Sequence, residues 1–296
     1  MLVSYKKVNF SRGEIMNVPF KKMHGAGNDF IVIKNEDFPY EEQFSEFAKQ
    51  SCHRHFGIGA DGIMVVGASS IADVKMLYFN SDGSSGNMCG NGIRCFSKFA
   101  YDEGIVRTSD FSVETLAGVL LVETKVEDCK VKTVKVNMGK LSYKPEEIPV
   151  LTAEESYINK TLEIEGKSFV ITTVLMGVPH TVIFSEDISL ETVLKYGPMI
   201  EKHKLFPKGT NVNFAQIVDR GHINVRTWER GAGYTLACGT GVTSVCAVAY
   251  DLGLVEDSVE VTIDGGGLKI TIEADGDIYM EGPAEDICKG IFFMKK

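Results

Sequence analysis

Apolar positions along this chain change period where Gly-rich stretches interrupt them. Residues 30–33 form a short continuous apolar run after a Gly turn, which predicts a buried strand. Residues 41–52 carry Phe44 and Phe47 on one side and predict a helix. Strands are expected near 63–66 and over 73–79. Ile93, Phe96 and Phe99 then predict a helix over Gly90–Asp102, stopped at Gly104. Runs at 111–114, 118–124, 133–136 and 139–141 read as short strands. The stretch 142–168 is polar, with several Glu and Lys and two Pro, and predicts a crossover.

The second half repeats the order. Residues 168–176 predict a strand, GVPH (177–180) a turn, and 181–184 another strand. A helix is expected over Leu190–Glu201. The loop FPKGTN leads to a strand at 212–218, and His222–Glu229 alternates through Ile223, Val225 and Thr227. Residues 241–250 are apolar all round, the pattern of a buried helix. Strands are expected at 259–263, 268–274 and 277–281, before a final apolar run, GIFFMK.

Each half therefore runs strands, a Gly-rich loop entering a helix, then strands. This predicts an α+β fold of two pseudo-symmetric domains with a ligand cleft between them. The expected boundaries are an N-terminal extension at 1–15, a first domain at 16–141, the crossover at 142–168 and a second domain at 169–284. A terminal strand at 285–296 is expected to return to the first domain. Met16 reads as a natural chain start, so 1–15 is an extension or a misassigned start.

Composition narrows the class. At 296 residues the chain has room for two ordinary domains. The net charge of −9 supplies no basic excess for nucleic acid or an anionic membrane. No apolar run approaches a membrane span. The N-terminus lacks the apolar core of a signal peptide. Seven Cys, an odd number, then point to reduced thiols in the cytoplasm rather than a disulfide framework.

The chemistry is carried by two matched stretches, NSDGSSGNMCGNGIRC (80–95) and ERGAGYTLACGTGVTSVC (229–246). Cys89 and Cys238 both stand where a Gly-rich loop becomes a helix. A Cys there faces unpaired N–H groups and the positive end of the helix dipole, which favour thiolate. The flanking Gly residues let the backbone approach an anion such as a carboxylate. Two such sites face to face suit inversion at an α-amino-acid carbon. One thiolate removes the α-proton, the other thiol returns one to the opposite face, and the N–H donors stabilise the developing charge. Neither metal nor pyridoxal phosphate is required, so no cofactor is expected.

The bland readings are weaker. A free Cys is usually a small buried hydrophobe, and Cys52, Cys95, Cys129 and Cys246 are read that way or as inert. No C-x-x-C pair supports zinc with His53 and His55. GAGNDF and GTGVTS are neither a P-loop nor a dinucleotide fingerprint.

MHGAGNDF (23–30), GIGADG (57–62), NSDGSSGNMCGNGIRCF (80–96), GVPH (177–180), GTNVNF (209–214), ERGAGYTLACGTG (229–241) and EGPA (281–284) together resemble the diaminopimelate epimerase family, from Met16 nearly to the end. The resemblance implies a cofactor-independent two-thiol epimerase whose domains are each a β-barrel-like sheet around a central helix. It implies Cys89 and Cys238 as the acid/base pair, with His180 and Glu229 tuning the thiols. It also implies carboxylate contacts at Gly90, Asn91, Gly239 and Thr240. Further substrate contacts would be Asn28, Asn80, Asn211, Glu229 and Arg230, the last gripping a distal carboxylate.

Three departures stand out. Val178 replaces the Asn of the family's GNPH. Tyr234-Thr235 replaces Glu-Thr. Cys288 stands where the family often has an aromatic at a homodimer contact. Val178 and Tyr234 motivate a rival reading, a racemase of another amino acid such as histidine. A rival from another class is a non-catalytic amino-acid-binding or thiol redox protein.

Overall fold

The apolar runs become strands of one mixed sheet wrapped around two helices. In this computed structural model residues 15–295 are described; apart from Ile15, the expected extension lies outside them. The first half contains β1 (Ile15–Gly25), β2 (Asn28–Lys34), α1 (Phe44–Cys52), β3 (Gly62–Gly67), β4 (Val74–Asn80), β5 (Ser85–Gly86), α2 (Gly90–Asp102), β6 (Asp110–Thr115), β7 (Gly118–Glu127) and β8 (Lys130–Gly139). After β9 (Lys160–Ile164), the second half contains β10 (Lys167–Met176), β11 (Val178–Phe184), α3 (Leu190–Glu201), β12 (Asn211–Asp219), β13 (His222–Glu229), β14 (Gly233–Thr235), α4 (Gly239–Asp251), β15 (Ser258–Ile263), β16 (Gly266–Ile272) and β17 (Ile278–Pro283). The chain closes with β18 (Glu285–Lys295).

The pairings repeat with the sequence order. β2 runs parallel to β3 and β4 to β6, as β11 runs parallel to β12 and β13 to β15. β18 pairs with β1 and β9 with β10, so each half gains one flanking strand. β8 and β17 pair antiparallel and join the halves.

Ile93, Phe96 and Ala100 of α2 pack against Met23, Phe30, Met64 and Val134. Val242, Val245 and Val248 of α4 pack against Val174, Val182, Val225 and Ile270. Each central helix thus fills its own curved sheet, while α1 and α3 cover the outer faces. Gly197 permits the α3 contact, because a Cβ there would lie 2.7 Å from Trp228.

Three local expectations change. The stretch 142–168 contains β9, and its Ile148, Val150, Leu162 and Ile164 are buried with Phe169 and Val193. Its Glu and Lys residues obscured that short alternating strand. GVPH turns only at Gly177 (φ +70°), and Val178–His180 already belong to β11. The run at 139–141 is no separate strand, since β8 ends at Gly139. No helix of the described residues is long and apolar enough to cross a membrane.

Candidate active site

Cys89 and Cys238 are the N-cap residues of α2 and α4, both in extended backbone. The helix starts abut: a Cβ on Gly90 would lie 3.8 Å from Gly239 Cα and 3.1 Å from Met280 Cε. Asn91 crosses between the halves, its Nδ2 donating to Ala237 O at 3.1 Å and to Asn28 Oδ1 at 3.3 Å. Asn28 Oδ1 also accepts from the Cys89 thiol at 3.6 Å. The Cys238 sulfur lies 3.6 Å from Thr240 Oγ1.

The expected preference for thiolate does not hold in this closed arrangement. Burial pushes the Cys89 thiol up, against the Gly92 and Asn91 N–H groups that pull it down, and the Glu229 charge adds to the rise. Burial and then Glu229 hold Cys238 well above the usual thiol range, against the Thr240 hydroxyl and the Gly241 N–H. A helix terminus offers a fraction of a charge, whereas loss of water penalises the whole thiolate.

Glu229 ends β13, where Thr235 Oγ1 donates to its Oε1 at 2.6 Å. Burial raises its carboxyl above the usual range, against the Thr235 hydroxyl and the Cys238 thiol. Arg230 does not pair with it. The Arg230 side chain is exposed and donates to Lys208 O at 3.1 Å. Asn211 holds this corner, accepting from Arg230 N at 2.8 Å and donating to Pro179 O at 2.8 Å. Asn80 is bound by the Tyr78 hydroxyl at 2.6 Å and by Ser84 at 3.0 Å.

His180 is fully buried in β11, and burial, reinforced by the Arg230 charge, lowers it to about 3. Its Nδ1 faces Asn213 Nδ2 at 3.2 Å. Asn213 Nδ2 also donates to Thr181 O, and its Oδ1 accepts from Thr227. Nδ1 is therefore the acceptor, and the proton sits on Nε2, which has no hydrogen-bond partner. Asn213 links His180 to α4: a Cβ on Gly241 would lie 2.3 Å from Asn213 Oδ1.

Several participants escaped the sequence reading. Asn213 lies two residues after Asn211, so strand alternation could have found it. Asp61 accepts from Asn28 Nδ2 at 2.6 Å. Arg94, fully buried, donates to Gly90 O and Pro283 O, both at 3.2 Å, and its charge opposes the rise at Cys89. Only the fold brings it there. Cys95 is inert as expected, pushed up to about 12 by burial. Cys129 is exposed rather than in the core. Among the described residues no cluster of His, Cys, Asp or Glu is arranged for a metal ion.

Tyr234 is held on the α3 side of its half. In β14 it sits opposite Trp228 and packs with it beside α3, while its neighbour Thr235 turns to Glu229. Its hydroxyl donates to Asp264.

The family model described as diaminopimelate epimerase matches residues 20–144 and 172–287. A diaminopimelate epimerase of Alkaliphilus metalliredigens is 59% identical over 94% of this chain and 98% of its own. One from Clostridium perfringens is 50% identical over 92% and 98%. Among solved structures, a PhzF-family phenazine biosynthesis protein of Bacillus anthracis superposes with a TM-score of 0.68 at 14% identity, covering 93% of this chain and 98% of its own. A hydroxyproline epimerase of Agrobacterium vitis gives 0.67 at 13% identity, covering 95% and 94%. These two share the fold, while the sequence relatives and the family model carry the narrower assignment: the chain belongs to the diaminopimelate epimerase family of isomerases.

Proposed function

We propose that this enzyme interconverts LL- and meso-diaminopimelate by moving a proton across one α-carbon between Cys89 and Cys238. The observation that carries the reading is the pair of cysteine-capped helices meeting at Gly90 and Gly239. The substrate identity comes from the names of relatives alike over almost the whole chain.

The reacting carboxylate would rest on the first turns of α2 and α4, at Gly90, Asn91, Gly239 and Thr240, where backbone N–H groups and two helix dipoles converge. One sulfur, as thiolate, takes the α-proton; the other, as thiol, delivers one from the opposite side. Charge spreads from the carbon into the carboxylate and meets preorganised donors. Glu229 lies against Cys238 and can share its proton, while buried neutral His180 holds the Asn213 contact beneath α4. Arg230, exposed beside this corner, is free to meet the distal carboxylate, with Asn80 and Asn211 shaping the approach. We place the enzyme in the cytoplasm, because the chemistry needs reduced thiols. A homodimer is supported by Ile287, Ile291 and Phe293, which are exposed along β18, and sedimentation velocity tests it.

The test is α-deuterium uptake in deuterated water with LL-diaminopimelate, histidine and other amino acids. Uptake and inversion are expected with diaminopimelate. Exchange with histidine alone would select the rival racemase, and no exchange at all would refute both. Cys89→Ser and Cys238→Ser should each lower turnover by at least about a thousandfold, within the range for a positioned acid or base.

A further inference from the structure

We propose that Asp61 is a positioning residue for this reaction: its carboxylate turns the Asn28 amide so that the oxygen, not the NH2, faces the Cys89 sulfur. The proposal rests on the two-thiol reading of the site. It absorbs the GIGADG stretch, which none of the roles above uses.

An ionised carboxylate accepts hydrogen bonds and donates none. Asp61 Oδ2 lies 2.6 Å from Asn28 Nδ2, so the NH2 must point there. Asp61 is itself held. Arg54 donates to its Oδ1 at 2.7 Å, the Asp29 N–H donates to its Oδ2 at 3.2 Å, and its own N–H donates to Asp29 Oδ1 at 3.1 Å. Lys22, 2.9 Å from Asp29, anchors the far end.

Asn28 Oδ1 is left facing the Cys89 thiol at 3.6 Å and Asn91 Nδ2 at 3.3 Å. Asn91 is locked in turn, because its NH2 also meets the carbonyl of Ala237, which can only accept. Ala237 immediately precedes Cys238. One chain of fixed polarity thus runs from Asp61 through Asn28 and Asn91 to the start of the second thiol's helix.

The chemical consequence is directional. An amide oxygen against sulfur stabilises S–H and disfavours thiolate, whereas an N–H there would do the reverse. The Asn28 oxygen therefore favours the protonated thiol at Cys89 in the free enzyme. The charged and titratable groups facing it are Glu229 from β13, Arg94 and Cys95 from α2 and Tyr78 from β4; Asp61 acts through Asn28.

The second half shows that the fold does not need this lock. Phe30 lies opposite Gly62 in the parallel pair as His180 lies opposite Asn211. By that register Asn28 corresponds to Val178, and Asp61 to Thr210. Thr210 bonds the Thr181 hydroxyl at 3.0 Å instead. The backbone closes there without an acid at that position, its corner held by the neighbouring Asn211 amide on Pro179 O.

The experiment compares wild type, Asp61→Asn, Asp61→Glu, Asn28→Ala and the Asp61→Asn/Asn28→Ala double variant. Iodoacetamide labelling of Cys89, read by peptide mass mapping from pH 6 to 10, is measured beside kcat and KM on diaminopimelate. Asp61→Asn frees the amide to flip, so the labelling midpoint should fall by about one pH unit and kcat by about tenfold, with KM changing less than about threefold. Asp61→Glu should keep the midpoint near wild type. Asn28→Ala should lower it, and adding Asp61→Asn should lower it no further. A structural role alone would cut melting temperature and turnover with the midpoint unmoved. An unmoved or raised midpoint in folded Asp61→Asn overturns the proposal; should that variant not fold, an unmoved midpoint in Asn28→Ala does so. Labelling does not need turnover, so a wild type that exchanges no amino acid would sink the two-thiol reading while the lock is still tested.

Discussion

Superposed by strand register, the surroundings of Cys89 and Cys238 differ in charge where the backbones agree. Phe79 lies opposite Ile63 as Trp228 lies opposite Val212, so Asn80 and Glu229 occupy the same place at the ends of β4 and β13. Asn28 corresponds to Val178 and Phe30 to His180. One thiol thus has a neutral amide in contact and a second amide at the strand end. The other has an apolar residue in place of the first and a carboxylate in place of the second. α2 carries a buried Arg94, while the buried polar side chains of α4 are the uncharged Thr243 and Ser244. A duplicated scaffold supplies two equivalent thiols, but inversion needs an acid and a base at any moment, and the unequal neighbours can separate those roles.

Replacing the carboxylate is the strongest way to break this difference. Glu229→Gln should lower turnover by about a hundredfold, the scale of a positioned proton-transfer group. Its charge pushes both thiols up, Cys238 more than Cys89, so the labelling midpoint of Cys238 should fall further than that of Cys89. Equal shifts at the two sulfurs would contradict the assignment of Glu229 to Cys238.

A smaller effect tests His180 against its counterpart Phe30. The buried imidazole stays neutral down to about 3, while an unfolded histidine protonates near the ordinary value of 6.5. Below that value the unfolded state binds the extra proton, so stability is lost as pH falls. Between pH 7 and pH 5 this group alone should cost about 2 kcal/mol. His180→Phe should lose that much less over the same interval, measured by urea denaturation at both pH values. An unchanged pH dependence would show that His180 does not carry the acid sensitivity.

The smallest expected effect separates the two helix starts. A Cβ on Gly92 would meet the flexible end of Met64, whereas one on Gly241 would meet the Asn213 amide, held by His180, Thr181 and Thr227. Gly241→Ala should therefore destabilise by about 1 kcal/mol more than Gly92→Ala. Equal melting temperatures would mean that Asn213 is not fixed.

Local patterns carried much of the fold. The spans of α2, α3 and β13 follow from apolar spacing and their Gly or polar boundaries, and the duplicated Cys-Gly-x-Gly marked both helix starts. β9 was hidden by the Glu and Lys around it, and β5 and β14 are too short to show a period. The Gly and Pro of GVPH signal a turn at His180, and sheet pairing overrides that local signal.

The sequence by itself determined the repeat, the two thiols at helix starts and the family, because these depend on residues adjacent along the chain. Tertiary structure alone decided the state of those thiols. A helix terminus argues for thiolate, but loss of water, at the buried Cys238 and the half-buried Cys89, and the Glu229 charge raise both. It also decided which way the Asn28 amide points, since Asp61 arrives from a separate loop. Desolvation and hydrogen-bond polarity belong to groups far apart in the chain, and only the closed fold brings them together.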